Sequence, residues 1–179
     1  MTYTIVFTGH MIDAPDRKEP RFPAFKEAPV KQRIYRLLQE KKNSGKMLKG
    51  IAGGACGGDI LFHEACLLLG IPSEIYLALP VSDFKKKSVS FAGGDWEQRF
   101  DRLINILPVY FVPAGSKKDV WQAANEYMLG QALHNGNDNT ELLVLWDIES
   151  EKKSGGTLEM AEAAKQKGIA VTEIDIKKV

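Results

Sequence analysis

Cysteine is nearly absent from this chain. Its two cysteines, Cys56 and Cys66, stand ten residues apart across the start of an expected helix. That spacing makes neither a disulfide framework nor a zinc site. Histidine is equally sparse, at three residues. No His/Cys/Asp set has metal-ligand spacing, so no metal and no cofactor is expected. An excess of charge is also missing: 24 basic residues against 23 acidic ones leave a net charge of +1. Such a balance gives no electrostatic case for a membrane surface, and it argues against nucleic acid as a partner. The short run Lys85-Lys86-Lys87 reads as a solvated loop. No stretch approaches the ~18 apolar residues of a membrane span. The opening "MTYTIVFTGH" has neither the charged n-region nor the cleavage site of a secretory leader. A cytoplasmic protein is the expectation. What the chain does have, 44% hydrophobic residues in a length of 179, is enough for the core of one domain spanning residues 1–179.

Strand and helix patterns alternate along that length. Strands are expected at Thr4–Thr8, in "KMLKGIAG", in "EIYLALP", in "PVYFVP", in "ELLVLWD" and in "GIAVTEID". Between them lie helices from Pro29 to about Lys42, with Val30, Ile34, Leu37 and Leu38 as the apolar stripe, and from Asp59 to Leu69, with Leu61, Ala65 and Leu68 inward. Further helices follow Asp95 and Asp119, each read as a cap, and one runs from Thr157 to Gln166. The segment "SDFKKKSVSFAGGDW" reads as a long loop. Alternation of this kind argues for an α/β fold with a mostly parallel sheet covered on both faces. Ligands of such sheets sit outside the carboxyl ends of the strands. Four loops leave strands there: Gly9-His10, Gly53 to Gly58, Pro80 to Gly94, and Asp147 to Thr157.

Two of those loops are double-glycine turns that open a helix. A helix N-terminus offers unpaired N–H groups and a partial positive charge, and glycine lets an anion come close to them. Gly53 and Gly58 have Walker A spacing, but Asp59 and Ile60 stand where Lys and Ser or Thr are required. The dinucleotide fingerprint is absent too. A kinase, a GTPase and an ordinary NAD dehydrogenase are therefore disfavoured. The remaining reading is a nucleotide or ADP-ribose-like molecule held by two turns. Gly53, Gly54, Ala55, Gly57 and Gly58 form one, and Gly155, Gly156 and Thr157 form the other. The competing reading is that the glycines only make tight turns and close helix–sheet packing.

The "TGH" after the first strand, "AGGACGGDILFHEACLLLGIP", "LALP" and the late "GGTLEMAEAAKQKGI" resemble the SLOG superfamily, the group of the DNA-processing Smf proteins and the Lonely Guy phosphoribohydrolases. The segments "TGHMIDAPDR" and "PRFP" resemble a bacterial branch of it. The resemblance runs from Thr8 to about Val171. It implies a three-layer Rossmann-like fold, binding of a nucleotide or nucleotide derivative, and pairing into a homo-oligomer through helices. The superfamily's enzymes carry P-G-G-x-G-T-x-x-E, whose glutamate supports N-glycosidic cleavage. Here Glu159 follows Thr157 by two residues instead of three, and one residue turns a helix by about 100°. Phosphoribohydrolase activity therefore does not carry over intact.

Asp59 and Glu64 are alternative carboxylates for steadying an oxocarbenium-like sugar or activating water. Asp59 also suits a sugar-hydroxyl contact or a helix start, and Glu64 suits a salt bridge. Arg21, held between Pro20 and Pro23, or Arg17 can clamp a phosphate. Ser88 and Arg99 can complete an anion site, and His10 at the first strand's end can bind base, sugar or phosphate. Trp146 can stack on a base, with Asp147 on ribose, or can pack in the core. Cys56 is placed either for a helix-lowered pKa or for close packing. His63 and His134 read as structural or solvated. Two functions follow: an N-glycosidic nucleoside or nucleotide hydrolase, or a non-catalytic sensor of a nucleotide-derived signal. A DNA-associated scaffold is a third.

Overall fold

The computed structural model describes residues 2–113, 119–149 and 156–179. Its six strands are β1 (Thr2–Gly9), β2 (Met47–Ala52), β3 (Ser73–Leu77), β4 (Val109–Phe111), β5 (Thr140–Trp146) and β6 (Ala170–Asp175). The helices are α1 (Glu27–Asn43), α2 (Gly58–Leu68), α3 (Val81–Ser88), α4 (Trp96–Ile106), α5 (Val120–Ala132) and α6 (Gly156–Gln166). The strands form one parallel sheet in the order β4-β3-β2-β1-β5-β6.

The order follows from which strands are apolar throughout. Thr4 to Thr8 of β1 and all of β5 are buried, as central strands covered on both faces must be. Alternate residues of these strands feed two cores. Ile5, Phe7, Leu143 and Leu145 pack with α1, α2 and α4. Val6, Leu142, Val144 and Trp146 pack with α5 and α6. Three layers result. The chain leaves β1 toward β2 on one side and reaches β5 on the other, so a switch point lies between β1 and β5. A crevice opens at the carboxyl ends of the strands there.

Local expectations differ from the structure at three places. The segment read as a loop after β3 contains α3, whose buried residues are Phe84 and Ser88, with Val81 packed partly against the core; three lysines mask its helical period. Leu68 is 69% exposed because α2 turns Ile60, Leu61, Phe62 and Ala65 inward. Asp95 and Asp119 precede α4 and α5, yet neither side chain makes a capping hydrogen bond. Asp95 lies instead 3.6 Å from Arg99. Among the described residues, no helix is long and apolar enough to cross a membrane.

Candidate functional site

The crevice is a cleft of about 450 Å³. The end of β1 brings Thr8, Gly9 and the following His10 to it, the loop before α2 brings Gly53 and Ala55, and the first turn of α2 brings Asp59. Ser88 and Lys87 come from α3, Trp121 and Asn125 from α5, and Gly156 and Thr157 from the start of α6. Both glycine turns thus reach one cleft. Asn125 ties the second turn down by donating to the Gly156 carbonyl at 3.1 Å. Gly155 lies outside the described residues.

Arg21 also reaches the cleft. It is delivered by a strap, residues 10–23, that is closed on itself. The Asp13 carboxylate accepts from the amides of Arg21 and Phe22, each at 2.9 Å, and Arg17 lies 3.3 Å from the same carboxylate. Phe22 is fully buried and anchors the far end.

This strap crosses the glycine loop closely at Gly57. The Ile12 amide donates to the Cys56 carbonyl at 3.2 Å, and the Gly58 amide donates to the His10 carbonyl at 3.1 Å. Gly57 has φ 92° and ψ −125°. A Cβ there would lie 2.4 Å from the Ile12 amide nitrogen. The other glycines are equally occupied. A Cβ on Gly54 would meet Phe100 at 3.0 Å, and one on Gly58 would meet Phe7 at 2.9 Å. At Gly53 it would stand 2.6 Å from an Asp59 carboxylate oxygen. Gly54, Gly57 and Gly58 are therefore packing and crossing positions that stay out of the cleft. The Ser88 carbonyl takes the Cys56 amide at 2.8 Å, and Asp59 takes that of Ala55 at 3.2 Å.

Burial dominates the electrostatics. It pushes the Asp59 carboxyl up to about 7, against the pull of the one Ala55 amide. Burial, helped by the charges of Arg21 and Arg17 and opposed by Asp147, lowers His10 to about 4, so its imidazole is neutral at pH 7. Burial likewise raises the Cys56 thiol to about 12. That overturns a helix-activated thiolate and leaves close packing. His63 is fully buried and pushed down to about 4. As the neutral ring it donates through Nε2 to the Gly53 carbonyl at 2.9 Å and accepts from Ser73 at 3.0 Å, which fixes the floor beneath Asp59.

Several expected site residues lie elsewhere. Arg99 makes two hydrogen bonds of 2.8 Å to Glu64 and one of 2.7 Å to Glu27, and its guanidinium covers Trp96 at 4.0 Å. It is a clasp between α1, α2 and α4. Burial would raise Glu64, but Arg99 and Lys31 more than offset it and hold the carboxyl below its usual value. Glu159 is exposed and faces a groove between α5 and α6. Asp147 is buried and pairs with Lys177 at 3.1 Å. Trp146 is in the second core. Sequence reasoning missed Lys87, Tyr76, Phe84, Trp121 and Asn125, all on the cleft wall. The i, i+4 spacing of Trp121 and Asn125 was an available signal for the last two. Among the described residues, no group of three or more His, Cys, Asp or Glu is placed to hold a metal ion.

No protein-family model matches the chain, and no curated protein matches it. Among solved structures it is similar to the X-ray structure of DNA processing protein A from Streptococcus pneumoniae, with a TM-score of 0.56 and 17% identity. The match covers 96% of this chain and 50% of that one, so the chain spans about half the length of its neighbour. The likeness is one of fold. It agrees with the Rossmann-like sheet implied by the resemblance to the SLOG superfamily. An exclusion of nucleic acid, drawn from net charge, finds no support in a neighbour so titled.

Proposed function

We propose that this chain is a SLOG-like protein that binds a nucleotide or nucleotide-sugar derivative in the cleft at the switch point and hydrolyses its N-glycosidic bond. The observation that carries this reading is Asp59, a carboxyl held near 7 in a cleft that also presents Arg21 and Lys87. Perturbed carboxyls in clefts are candidates for acid–base work. The cations suit a phosphate, and Trp121, partly exposed on the cleft wall, offers a face for a base, while Tyr76 and Phe84 line the wall with their rings stacked on Tyr110 and Phe100. Of the three carboxylates considered, Glu64 is consumed by Arg99 and Glu159 faces away, which leaves Asp59. In the step proposed, a water oxygen bonds to the sugar's anomeric carbon as the C–N bond breaks. The bonding pair leaves with the base nitrogen, which is then protonated. Asp59 takes the water's proton or steadies the cationic sugar.

A second reading, a non-catalytic sensor, is favoured by one observation: among the described residues the glutamate of the family motif has no counterpart in the cleft, since Glu159 lines the α5–α6 groove. Incubation with AMP, NAD and ADP-ribose, followed by chromatography for free base, separates the two. The hydrolase requires base release that is lost in Asp59→Asn and kept in Glu159→Ala. Binding by calorimetry without release leaves the sensor. Absence of both binding and release with all three compounds refutes both readings.

A further inference from the structure

A buried carboxylate can be fully partnered in this fold. Glu141 at the opposite edge of the sheet receives Lys41 at 2.6 Å, Tyr3 at 2.8 Å and Thr172 at 2.6 Å. Burial would raise it, yet Lys41 and the two hydroxyls hold it below its ordinary value. Asp59 is the contrast. Among the described residues its one hydrogen bond is to the Ala55 amide, at 3.2 Å, and no cation pairs with it. A carboxylate accepts about four hydrogen bonds, so most of the capacity of Asp59 is turned to the cleft it lines.

Its position decides what can meet it. The Asp59 oxygen fills the hollow that Gly53 leaves, where a phosphate loop would seat its anion. Four amides around that hollow are already taken: Ala55 by Asp59, Cys56 by Ser88, Gly58 by His10 and Ile60 by Ala55. A phosphate here would meet a like charge and no free donor from these four amides. A neutral group with adjacent hydroxyls meets two acceptor oxygens in the geometry by which acidic residues hold a ribose. The partly exposed aromatic suited to a base, Trp121, sits on α5, away from the helix that carries Asp59.

We infer that the Gly53–Asp59 corner takes the vicinal diol of the ligand's ribose, leaving its phosphate to Arg21 and Lys87, so that the cleft selects ribonucleosides and their monophosphates over deoxy analogues. This rests on the nucleotide reading above and specifies which end of the ligand lies where.

Calorimetry with AMP, 2′-deoxy-AMP, 3′-deoxy-AMP and IMP, on the natural chain and on Asp59→Asn, tests it. AMP is expected to bind about 10- to 100-fold more tightly than either deoxy analogue, the range of a hydrogen bond to a charged group, and the preference should collapse in Asp59→Asn. Equal binding of AMP and its deoxy analogues overturns the diol assignment while leaving the nucleotide reading intact. So does a preference that survives in Asp59→Asn. If the AMP/IMP ratio collapses in the variant instead, a base amine occupies the corner and the inference is wrong. Absence of binding by all four removes the nucleotide reading and this inference with it.

A second arm uses adenosine, which has no titrating phosphate, and needs no variant. Hydroxyls donate better to the ionised carboxyl, so adenosine affinity should rise between pH 6 and 8 in the natural chain. A flat or falling profile overturns the inference. Over that range the neighbouring groups whose pKa is shifted hold one form: His10, His63 and Cys56 stay neutral, and burial keeps the Tyr76 phenol protonated; the cations lining the cleft are Arg21 and Lys87.

Discussion

Gly57→Ala tests whether the strap's crossing of the glycine loop is a structural necessity. The new Cβ would stand 2.4 Å from the Ile12 amide nitrogen, 2.9 Å from the Met11 carbonyl carbon and 3.0 Å from the His10 oxygen. All three are backbone atoms, so no rotamer change relieves the contact. A φ of 92° adds strain of about 1–3 kcal/mol for any residue with a Cβ. Relief requires the strap to lift, which breaks Ile12 to Cys56 and Gly58 to His10, at about 1 kcal/mol each. The sum is about 3–5 kcal/mol, or roughly 6–20 °C in Tm for a chain of this size. Gly130→Ala is the matched control. Gly130 lies in α5, where an added Cβ would have no atom within 4 Å and φ is not positive, so alanine there should stabilise by about 0.5–1 kcal/mol. Urea denaturation followed by circular dichroism and by tryptophan fluorescence gives both values. If Gly57→Ala lies within about 0.5 kcal/mol of the natural chain, the close crossing does not exist as described. Limited trypsin digestion adds a local readout, because Arg17 and Lys18 lie in the strap and should be cut faster once it lifts.

Two further predictions concern pH. Burial raises Asp59 from 3.8 to about 7, so between those values the folded chain keeps a proton that the unfolded chain has lost, and stability from this group falls as pH rises. Asp59→Asn should therefore be more stable than the natural chain at pH 8, on the order of 2–4 kcal/mol. The gain should shrink toward pH 4; a difference in urea midpoint that stays constant with pH refutes the burial argument. His63 has the opposite sign. Its folded pKa is lowered from 6.5 to about 4, so its contribution is present above 6.5 and lost as pH falls toward 4. His63→Leu should flatten that acid limb, leaving the part due to His10. It should also lower stability at pH 7 by about 1–3 kcal/mol, as Ser73 and the Gly53 carbonyl lose their partner. An unchanged acid limb would place the titrating group elsewhere.

The layers of the fold were legible because their signal is local. Buried runs such as Thr4–Thr8 and "ELLVLW" cannot belong to anything but central strands once helices alternate with them. α3 was not legible for the same reason turned round. Its buried residues are Phe84 and Ser88, with Val81 only partly covered, and three consecutive lysines look like solvated chain whatever their backbone does. The helix gives those lysines different fates: Lys85 pairs with Asp101 at 2.6 Å, while Lys87 stands at the cleft. A charge run has no period to reveal this.

The glycine loop shows a deeper limit. Its spacing announces that something approaches the backbone closely, and that much was correct. The identity of the visitor is set by chain crossings that have no sequence signature. Residues 10–12 come over Gly57, and Asp59 folds back over Gly53. Both are protein groups, so the feature most suggestive of a bound phosphate is the one the fold itself has filled. The chemistry then shifts one residue along, from the glycines to the acid that replaces the Walker lysine. Asp59 first counted as an objection to a triphosphate. In the folded chain it becomes the polar group of the cleft with the most unused hydrogen-bonding capacity among the carboxylates weighed, because the loop supplies only one amide and the partly buried carboxyl lines the cleft. A group left in that condition raises its own pKa until a ligand supplies the missing donors. On the reading proposed above, the charge that counts against a phosphate in this corner would suit a hydroxyl donor.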